Sequence, residues 1–197
     1  MIEQQGALTY EGILEMFRET DRQMKETDRK LKENAEQQKE NARQMKETDR
    51  KISALGSRIG EIVENMVSGN IVDKFQALGY EVTECSRNKR FEYKKLGIRG
   101  EIDLFLDDGD IAILIEVKTS LETADVRNHI ERLEKYRRYT DAKGSGDRRR
   151  FVGAVAGAVV SDEAASFALQ SGLYVIVQSG SAVEIVTPPD GFTAREW

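Results

Sequence analysis

The amino-acid sequence predicts an α/β protein in which a mixed sheet, covered by helices on both faces, follows a long coiled-coil helix. Two observations predict this. The first third of the chain repeats every seven residues and contains few apolar residues, whereas the remainder alternates short apolar strands with amphipathic helices in the order αβββαβαββ. We therefore divide the chain into a coiled-coil stalk, residues 1–54, and an α/β domain, residues 55–197.

The stalk is predicted from consecutive heptads that start at Glu19. Their strict seven-residue period favours a supercoil, so we expect a homo-oligomer, by default a dimer. The alternative is a solvated single helix held together by Glu-to-Lys pairs. Position a is filled by Phe17, Met24, Leu31, Gln38, Met45, Ile52, Ile59 and Met66, and position d by Ile13, Thr20, Thr27, Asn34, Asn41, Thr48, Leu55 and Ile62.

The α/β domain opens with an amphipathic helix whose apolar residues run from Leu55 to Leu78 and which ends at Gly79. The polar, basic segment 86–99 is predicted to join the first two strands, and residues 141–150 and 179–181 are predicted to be loops. Strands are predicted at 80–84, 100–106, 111–119, 151–160, 174–178 and 182–186, and further helices at 124–140 and 162–170.

Charged residues are predicted to converge on the hairpin formed by strands 100–106 and 111–119. Strand alternation gives this hairpin one apolar face, which includes Ile102, Leu104 and Leu106, and places four charged residues on the other face. Two registers remain open, because either Asp103 or Glu101 could lie opposite Glu116. The four charged residues are Glu101, Asp103, Glu116 and Lys118.

Three carboxylates against one lysine favour a cation site over an ordinary pair of salt bridges at a sheet edge. Clustered carboxylates repel one another unless a cation neutralises them, and hard divalent cations prefer oxygen ligands. Mg²⁺ or Mn²⁺ held by such carboxylates can polarise a phosphodiester, while Lys118 supplies positive charge near the attacking water. His129, on the apolar side of the next helix, is expected to be a core residue.

At these residues the chain resembles the PD-(D/E)XK nuclease superfamily, whose signature is an Asp on one strand and Glu-X-Lys on the next. Here Asp103 and Glu116-Val117-Lys118 match the signature, although Glu101-Ile102 replaces the proline that names it. The segment from Gly60 to Glu64 is similar to that of Holliday-junction resolvases and restriction-type nucleases. More closely, the chain resembles bacterial and archaeal proteins with heptad-rich N-termini and such a nuclease-like domain.

The resemblance implies a restriction-endonuclease-like αβββαβ core and a metal-dependent DNA endonuclease. It implies Asp103 and Glu116 as metal ligands and Glu64 as a further ligand or ligand orienter, with Glu61 as a competitor for that role. Glu101 is expected to support the ligands. The rival hypothesis is a catalytically inactive nuclease fold used for binding, in which the coiled coil mediates oligomerisation or partner docking.

The partner is expected to be nucleic acid, most simply DNA. The net charge of −5 gives no global attraction to it, so binding must use local basic patches. A lone Cys85 and the lack of a long apolar run predict a cytoplasmic protein without a membrane span. One patch contains Arg87, Lys89, Arg90, Lys94, Lys95 and Arg99, and a second contains Arg148, Arg149 and Arg150.

Overall fold

The fold is described from a computed structural model that covers residues 9–144, 147–180 and 182–197. The loop predictions at Ser145, Gly146 and Ser181 lie outside these residues. The helices are α1 Tyr10–Ala77, α2 Thr123–Lys143 and α3 Asp162–Gln170. The strands are β1 Glu84–Tyr93, β2 Ile98–Asp107, β3 Ile111–Leu121, β4 Arg150–Val160, β5 Tyr174–Ser179 and β6 Ala182–Ile185. This order confirms the predicted αβββαβαββ arrangement.

Helix α1 joins the predicted coiled-coil segment and the predicted amphipathic helix into one element of 68 residues. The helix ends at Ala77, two residues before Gly79, where its end was predicted, and the φ of 91° at Gly79 suits glycine. The amide of Tyr80 then donates to the Phe75 carbonyl at 3.1 Å. The chain divides into two compact units, Met1–Leu55 and Gly56–Trp197.

The six strands form one mixed sheet in the order β1-β2-β3-β4-β5-β6. Strands β1, β2 and β3 pair antiparallel, β3 to β5 pair parallel, and β6 returns antiparallel beside β5. The parallel pairs follow from the crossover helices α2 and α3, because parallel neighbours need a long connection. The β2–β3 turn is closed by the Asp108 amide, which donates to the Ile111 carbonyl at 2.9 Å.

Helices cover both faces of this sheet, as the sequence predicts. On one face the buried residues of α1, among them Ile71 and Phe75, pack on Leu104 and Leu106 of β2. On the other face α2 packs on Phe105 of β2, and α3 packs on β4 and β5. Strand β3 is therefore buried on both sides over most of its length.

The first strand was predicted wrongly, because β1 contains most of the basic segment that was expected to be a connection. The strand is at the edge of the sheet, and only Phe91 is buried among its residues. Edge strands tolerate charged side chains, which also discourage pairing with other chains. A strand with one buried residue shows no apolar alternation, so the sequence pattern could not reveal it.

The side-chain alternation of β2 breaks at Asp103, opposite Asn88 of β1. Asn88 has a positive φ of 52°, and the Asn88–Asp103 pair is missing from an otherwise continuous β1–β2 ladder. Ile102 therefore packs with Phe105 on the α2 side, whereas Leu104 packs on the α1 side. The expectation that Ile102 shares a face with Leu104 and Leu106 is wrong for this reason.

Within the described ranges 9–144, 147–180 and 182–197, none of the helices is both long and apolar enough to cross a membrane.

Candidate active site

Strands β2 and β3 separate at the two predicted acidic residues. Their antiparallel ladder ends at the Leu104–Ile115 pair, and one further step of the same register places Asp103 opposite Glu116. This is the first of the two registers considered from the sequence. Beyond the ladder, the Asp103 carboxylate accepts a hydrogen bond from the Val117 amide at 2.8 Å. The side chain thus replaces the bond that the β2 backbone no longer makes.

Glu116 is a buried carboxylate that contacts two cations. Its side chain is only 4% exposed. Oε1 lies 2.8 Å from Nζ of Lys118, and Oε2 contacts the guanidinium of Arg132 on α2. Burying a carboxylate without partners is strongly unfavourable, and these two contacts offset part of that cost for Glu116.

Arg132 is the functional candidate that the sequence analysis missed. It lies three residues after His129, so both side chains reach the same side of α2 and face the sheet. Arg132 retains 27% of its side-chain exposure while touching Glu116. Its position next to the buried histidine was the available signal, but a lone arginine on a highly charged helix does not stand out in sequence.

His129 is a fully buried residue that also borders the acidic pair. Its Nε2 lies 3.1 Å from the Leu114 carbonyl oxygen, which can only accept, so the neutral ring donates through Nε2. Burial lowers the pKa of His129 to about 4. Nδ1 lies 3.9 Å from Oε2 of Glu116 and has no hydrogen-bond partner in the described part of the chain.

Glu64 approaches the same region from helix α1. Burial is the main cause that raises its pKa, and the charge of Asp103 raises it next. The charges of Glu101 and Glu61 raise it further, while Arg87 lowers it. Glu64 is half-buried and Glu61 is exposed, so Glu64 is the better-placed of the two acids that were considered from sequence.

The pKa of Asp103 is affected by burial and by several neighbouring charges. Burial raises its pKa most, and Glu101 adds to that rise. The Val117 amide, Lys118 and Arg132 lower it. The pKa of Asp103 is therefore affected both by a neighbouring carboxylate and by nearby basic groups.

Glu101 does not lie on the face occupied by Glu116. Because Ile102 packs toward α2, the neighbouring Glu101 points toward α1. There its carboxylate pairs with the Arg90 guanidinium at 3.0 Å. The expectation that all four charged residues share one face is therefore wrong, and the cause is the same break in alternation at Asp103.

The carboxylates could hold a divalent cation only in an open site. Among the residues that the structure describes, no three Asp, Glu, His or Cys side chains are grouped closely enough to form a metal cage. Mg²⁺, however, usually binds through one or two carboxylates and keeps several waters. Asp103 and Glu116, at the next position of the β2–β3 register beyond the ladder, fit that kind of open site, and the charge of Asp103 also affects the pKa of Glu64.

Three of the predicted nucleic-acid contacts lie on the α1 side of the β1–β2 hairpin. Arg87 contacts the Asn65 side chain of α1, and Arg90 pairs with Glu101. Arg99 is exposed on the same face, two residues before Glu101. These arginines run outward from the acidic residues along one face of the hairpin.

The remaining basic residues of that patch are placed elsewhere. Lys89 is turned to the α2 side, where its Nζ lies 3.3 Å from the centroid of the Phe105 ring. Burial lowers the pKa of Lys89. Lys94 and Lys95 are exposed in a short 3₁₀ turn, Lys94–Leu96, between β1 and β2. The six residues therefore do not form one continuous surface.

The second basic patch is largely engaged within the protein. Arg149 pairs with Asp147 at 2.7 Å and also bonds Asp107 at 2.5 Å. Arg150 pairs with Glu196 at 2.8 Å. These ion pairs anchor the start of β4.

Comparison with known proteins gives one distant likeness. No protein-family model matches the chain, and no curated protein matches it. Among solved structures it is similar to "crystal structure of a repair endonuclease from Pyrococcus abyssi", with 15% sequence identity and a TM-score of 0.35. The likeness covers 64% of this chain and 47% of that chain, which is less than half of the endonuclease's length.

Proposed function

We propose that this protein is a metal-dependent nuclease that hydrolyses phosphodiester bonds of nucleic acid, with DNA as the expected substrate. The observation that carries the proposal is the opposition of Asp103 and Glu116 where β2 and β3 separate, with Lys118 2.8 Å from Glu116. These residues resemble the acid, acid and lysine set of the PD-(D/E)XK signature, and the two acids lie on adjacent strands.

Asp103 and Glu116 would hold Mg²⁺ or Mn²⁺, with Glu64 as a third acid on the α1 side. Such a cation supplies Lewis-acid charge to a phosphate oxygen and to an attacking water. Glu116 is held by Lys118 and Arg132, so its orientation does not depend on the cation. With a cation bound, Lys118 and Arg132 would be available to stabilise negative charge on the phosphate.

Arg87, Arg90 and Arg99 support a nucleic-acid substrate, since they extend from the acidic residues along one exposed face. Contacts from arginine to phosphate oxygens are indifferent to base sequence and weaken with salt. The proposal therefore includes sequence-independent binding by the β1–β2 hairpin.

The test is cleavage of supercoiled plasmid, four-way junction DNA and single-stranded RNA by the full chain with Mg²⁺, Mn²⁺ or EDTA. We expect metal-dependent cleavage that falls by about a hundredfold or more in Asp103→Asn and in Lys118→Met. Asn at 103 can still accept from the Val117 amide, so this variant should fold. Asp110→Asn, in the exposed turn of the same hairpin, is the matched control and should cleave normally.

A second candidate function is nucleic-acid binding without cleavage. The observation that favours it is that Lys118 and Arg132 already neutralise Glu116. In that case the wild type would bind DNA equally well in EDTA and in Mg²⁺ and would cut none of the substrates. Cleavage at the wild-type rate by Asp103→Asn would reject the site itself.

A further inference from the structure

The coiled-coil seam of α1 exposes an apolar stripe. We define the stripe as the a and d residues from Phe17 to Leu55. Met24, Leu31 and Met45 in this stripe are 64%, 60% and 67% exposed, respectively. Within the described residues nothing packs on them, and large apolar side chains that recur along one face of a helix mark an interaction surface.

The hydroxyl groups of Thr20 and Thr27 in the stripe are satisfied within α1. The Thr20 hydroxyl donates to the Met16 carbonyl at 2.8 Å, and the Thr27 hydroxyl donates to the Gln23 carbonyl at 2.8 Å. Because each hydroxyl is bonded within its own helix, the methyl group remains free to pack against a partner.

We propose that the stripe binds a second copy of this chain as a parallel, in-register, two-stranded coiled coil. The proposal goes beyond the nuclease activity and does not depend on it. It rests on how the seam layers and the flanking charges match in each orientation.

In a parallel, in-register pair every a and d residue lies opposite the same residue of the other copy. The polar residues Asn34, Gln38 and Asn41 then face identical polar residues, with which they can exchange hydrogen bonds. An antiparallel pair that buries the whole stripe from Phe17 to Leu55 instead places Asn41 against Leu31 of the other copy. That leaves an amide against an aliphatic side chain, which is unfavourable when buried.

The residues that flank the seam also favour the parallel orientation. In a parallel pair, position g contacts position e of the next heptad on the partner, so Gln23 meets Asp28 and Gln44 meets Asp49. Each glutamine already donates one N–H to a glutamate of its own helix, at 3.2 Å for Gln23 and 3.1 Å for Gln44. The second N–H of each amide is available to the partner's aspartate.

An antiparallel pair brings like charges together. Positions e then face each other, and the register that buries the stripe sets Asp21 against Asp49 of the other copy, twice per dimer. Like charges at such positions destabilise the pair. The parallel pair avoids this contact, because its e residues face g residues and no acid then faces an acid. Lys30, for example, faces Ala35.

The test uses charge changes whose effects have opposite signs in the two orientations. The double variant Gln23→Glu, Gln44→Glu places glutamates against Asp28 and Asp49 in a parallel dimer, and we expect its dissociation constant to rise about tenfold. The variant Gln23→Lys, Gln44→Lys should lower it. In an antiparallel dimer the same glutamates would meet Lys51 and Lys30, so both signs would reverse. The measurement is sedimentation equilibrium of the full chain.

Gln37→Glu is the matched control. Like Gln23 and Gln44, Gln37 follows a glutamate by four residues, so the substitution has the same cost within its own helix. It faces Ala42 in the parallel dimer and should leave the dissociation constant unchanged. A wild-type chain that stays monomeric at all concentrations, or that forms trimers or tetramers, would overturn the proposal.

Disulfide trapping tests the orientation independently. In a Cys85→Ser background, Thr27→Cys should crosslink to its own copy, because identical d residues are neighbours in a parallel pair. In an antiparallel pair Thr27→Cys would crosslink only with Met45→Cys or Ile52→Cys. Formation of those mixed crosslinks without the Thr27→Cys homodimer would contradict the proposal.

Discussion

At the scale of single residues, His129 combines complete burial with a titratable ring. The pKa of the folded-state ring, about 4, lies below its ordinary value of 6.5. Unfolding therefore takes up a proton between these two values, and the free energy of unfolding decreases as the pH falls through this window. By pH 5 the histidine alone should have removed about 2 kcal/mol of stability relative to pH 8.

The measurement is denaturant unfolding between pH 8 and pH 5 for the wild type and for His129→Gln. Glutamine can still donate to the Leu114 carbonyl but does not titrate, so its stability should change less across this range. Both proteins contain the same carboxylates, so the pH dependence of stability that these groups cause cancels in the comparison. Parallel stability curves for the two proteins would show that His129 does not remain neutral in the fold.

The acidic pair could be predicted from sequence because β2 and β3 form a tight hairpin, in which strand alternation and turn length leave few registers. The structure selected the register in which Asp103 opposes Glu116. The side of Glu101 could not be predicted, since it depends on the positive φ of Asn88 in a neighbouring strand. Arg132 could not be predicted because its contact with Glu116 crosses from helix to sheet.

At the scale of elements, helices and strands with a clear local pattern of apolar residues were predicted correctly, and those without one were not. Helix α3 was predicted with its observed bounds, Asp162–Gln170, and in the structure the Ser161 side chain caps its first turn. Strand β1 was missed because the edge of the sheet leaves its residues mostly exposed. Elements that bury a face can be predicted from the sequence, whereas elements defined by their hydrogen-bonded neighbour cannot.

The end of α1 provides a test at this scale. Gly79 has a φ of 91°, which an alanine adopts only with strain, so Gly79→Ala should destabilise the fold by about 1 kcal/mol. Gly69 lies inside the same helix, is exposed, and has nothing within 4 Å of an added Cβ. Gly69→Ala should therefore stabilise the protein by about 0.5–1 kcal/mol.

The two substitutions add the same methyl group to one helix, and the comparison is made by thermal or urea unfolding. Opposite signs are expected, because only Gly79 needs the left-handed conformation. A neutral effect of Gly79→Ala would show that residue 79 does not need the left-handed conformation at the end of the helix.

At the scale of the whole molecule, the net charge does not favour the binding of nucleic acid. The chain carries 30 basic and 35 acidic residues, so its average field repels a polyanion. Binding of nucleic acid must then depend on where arginines are placed. The exposed face with Arg87, Arg90 and Arg99 is the surface that the proposed function needs.

This dependence can be measured as the slope of the logarithm of the DNA-binding constant against the logarithm of salt concentration. Each phosphate contact contributes about 0.9 to that slope, so Arg87→Ala, Arg90→Ala and Arg99→Ala together should reduce its magnitude by about 2–3 per chain. The control removes Arg22, Arg43 and Arg50, which lie at heptad position f, away from the seam. Both variants change the net charge by the same amount, so a general field would alter their slopes equally. A slope that changes only in the hairpin variant would locate the phosphate contacts on the β1–β2 hairpin. Equal changes in both variants would contradict the proposal that this hairpin binds the nucleic-acid backbone.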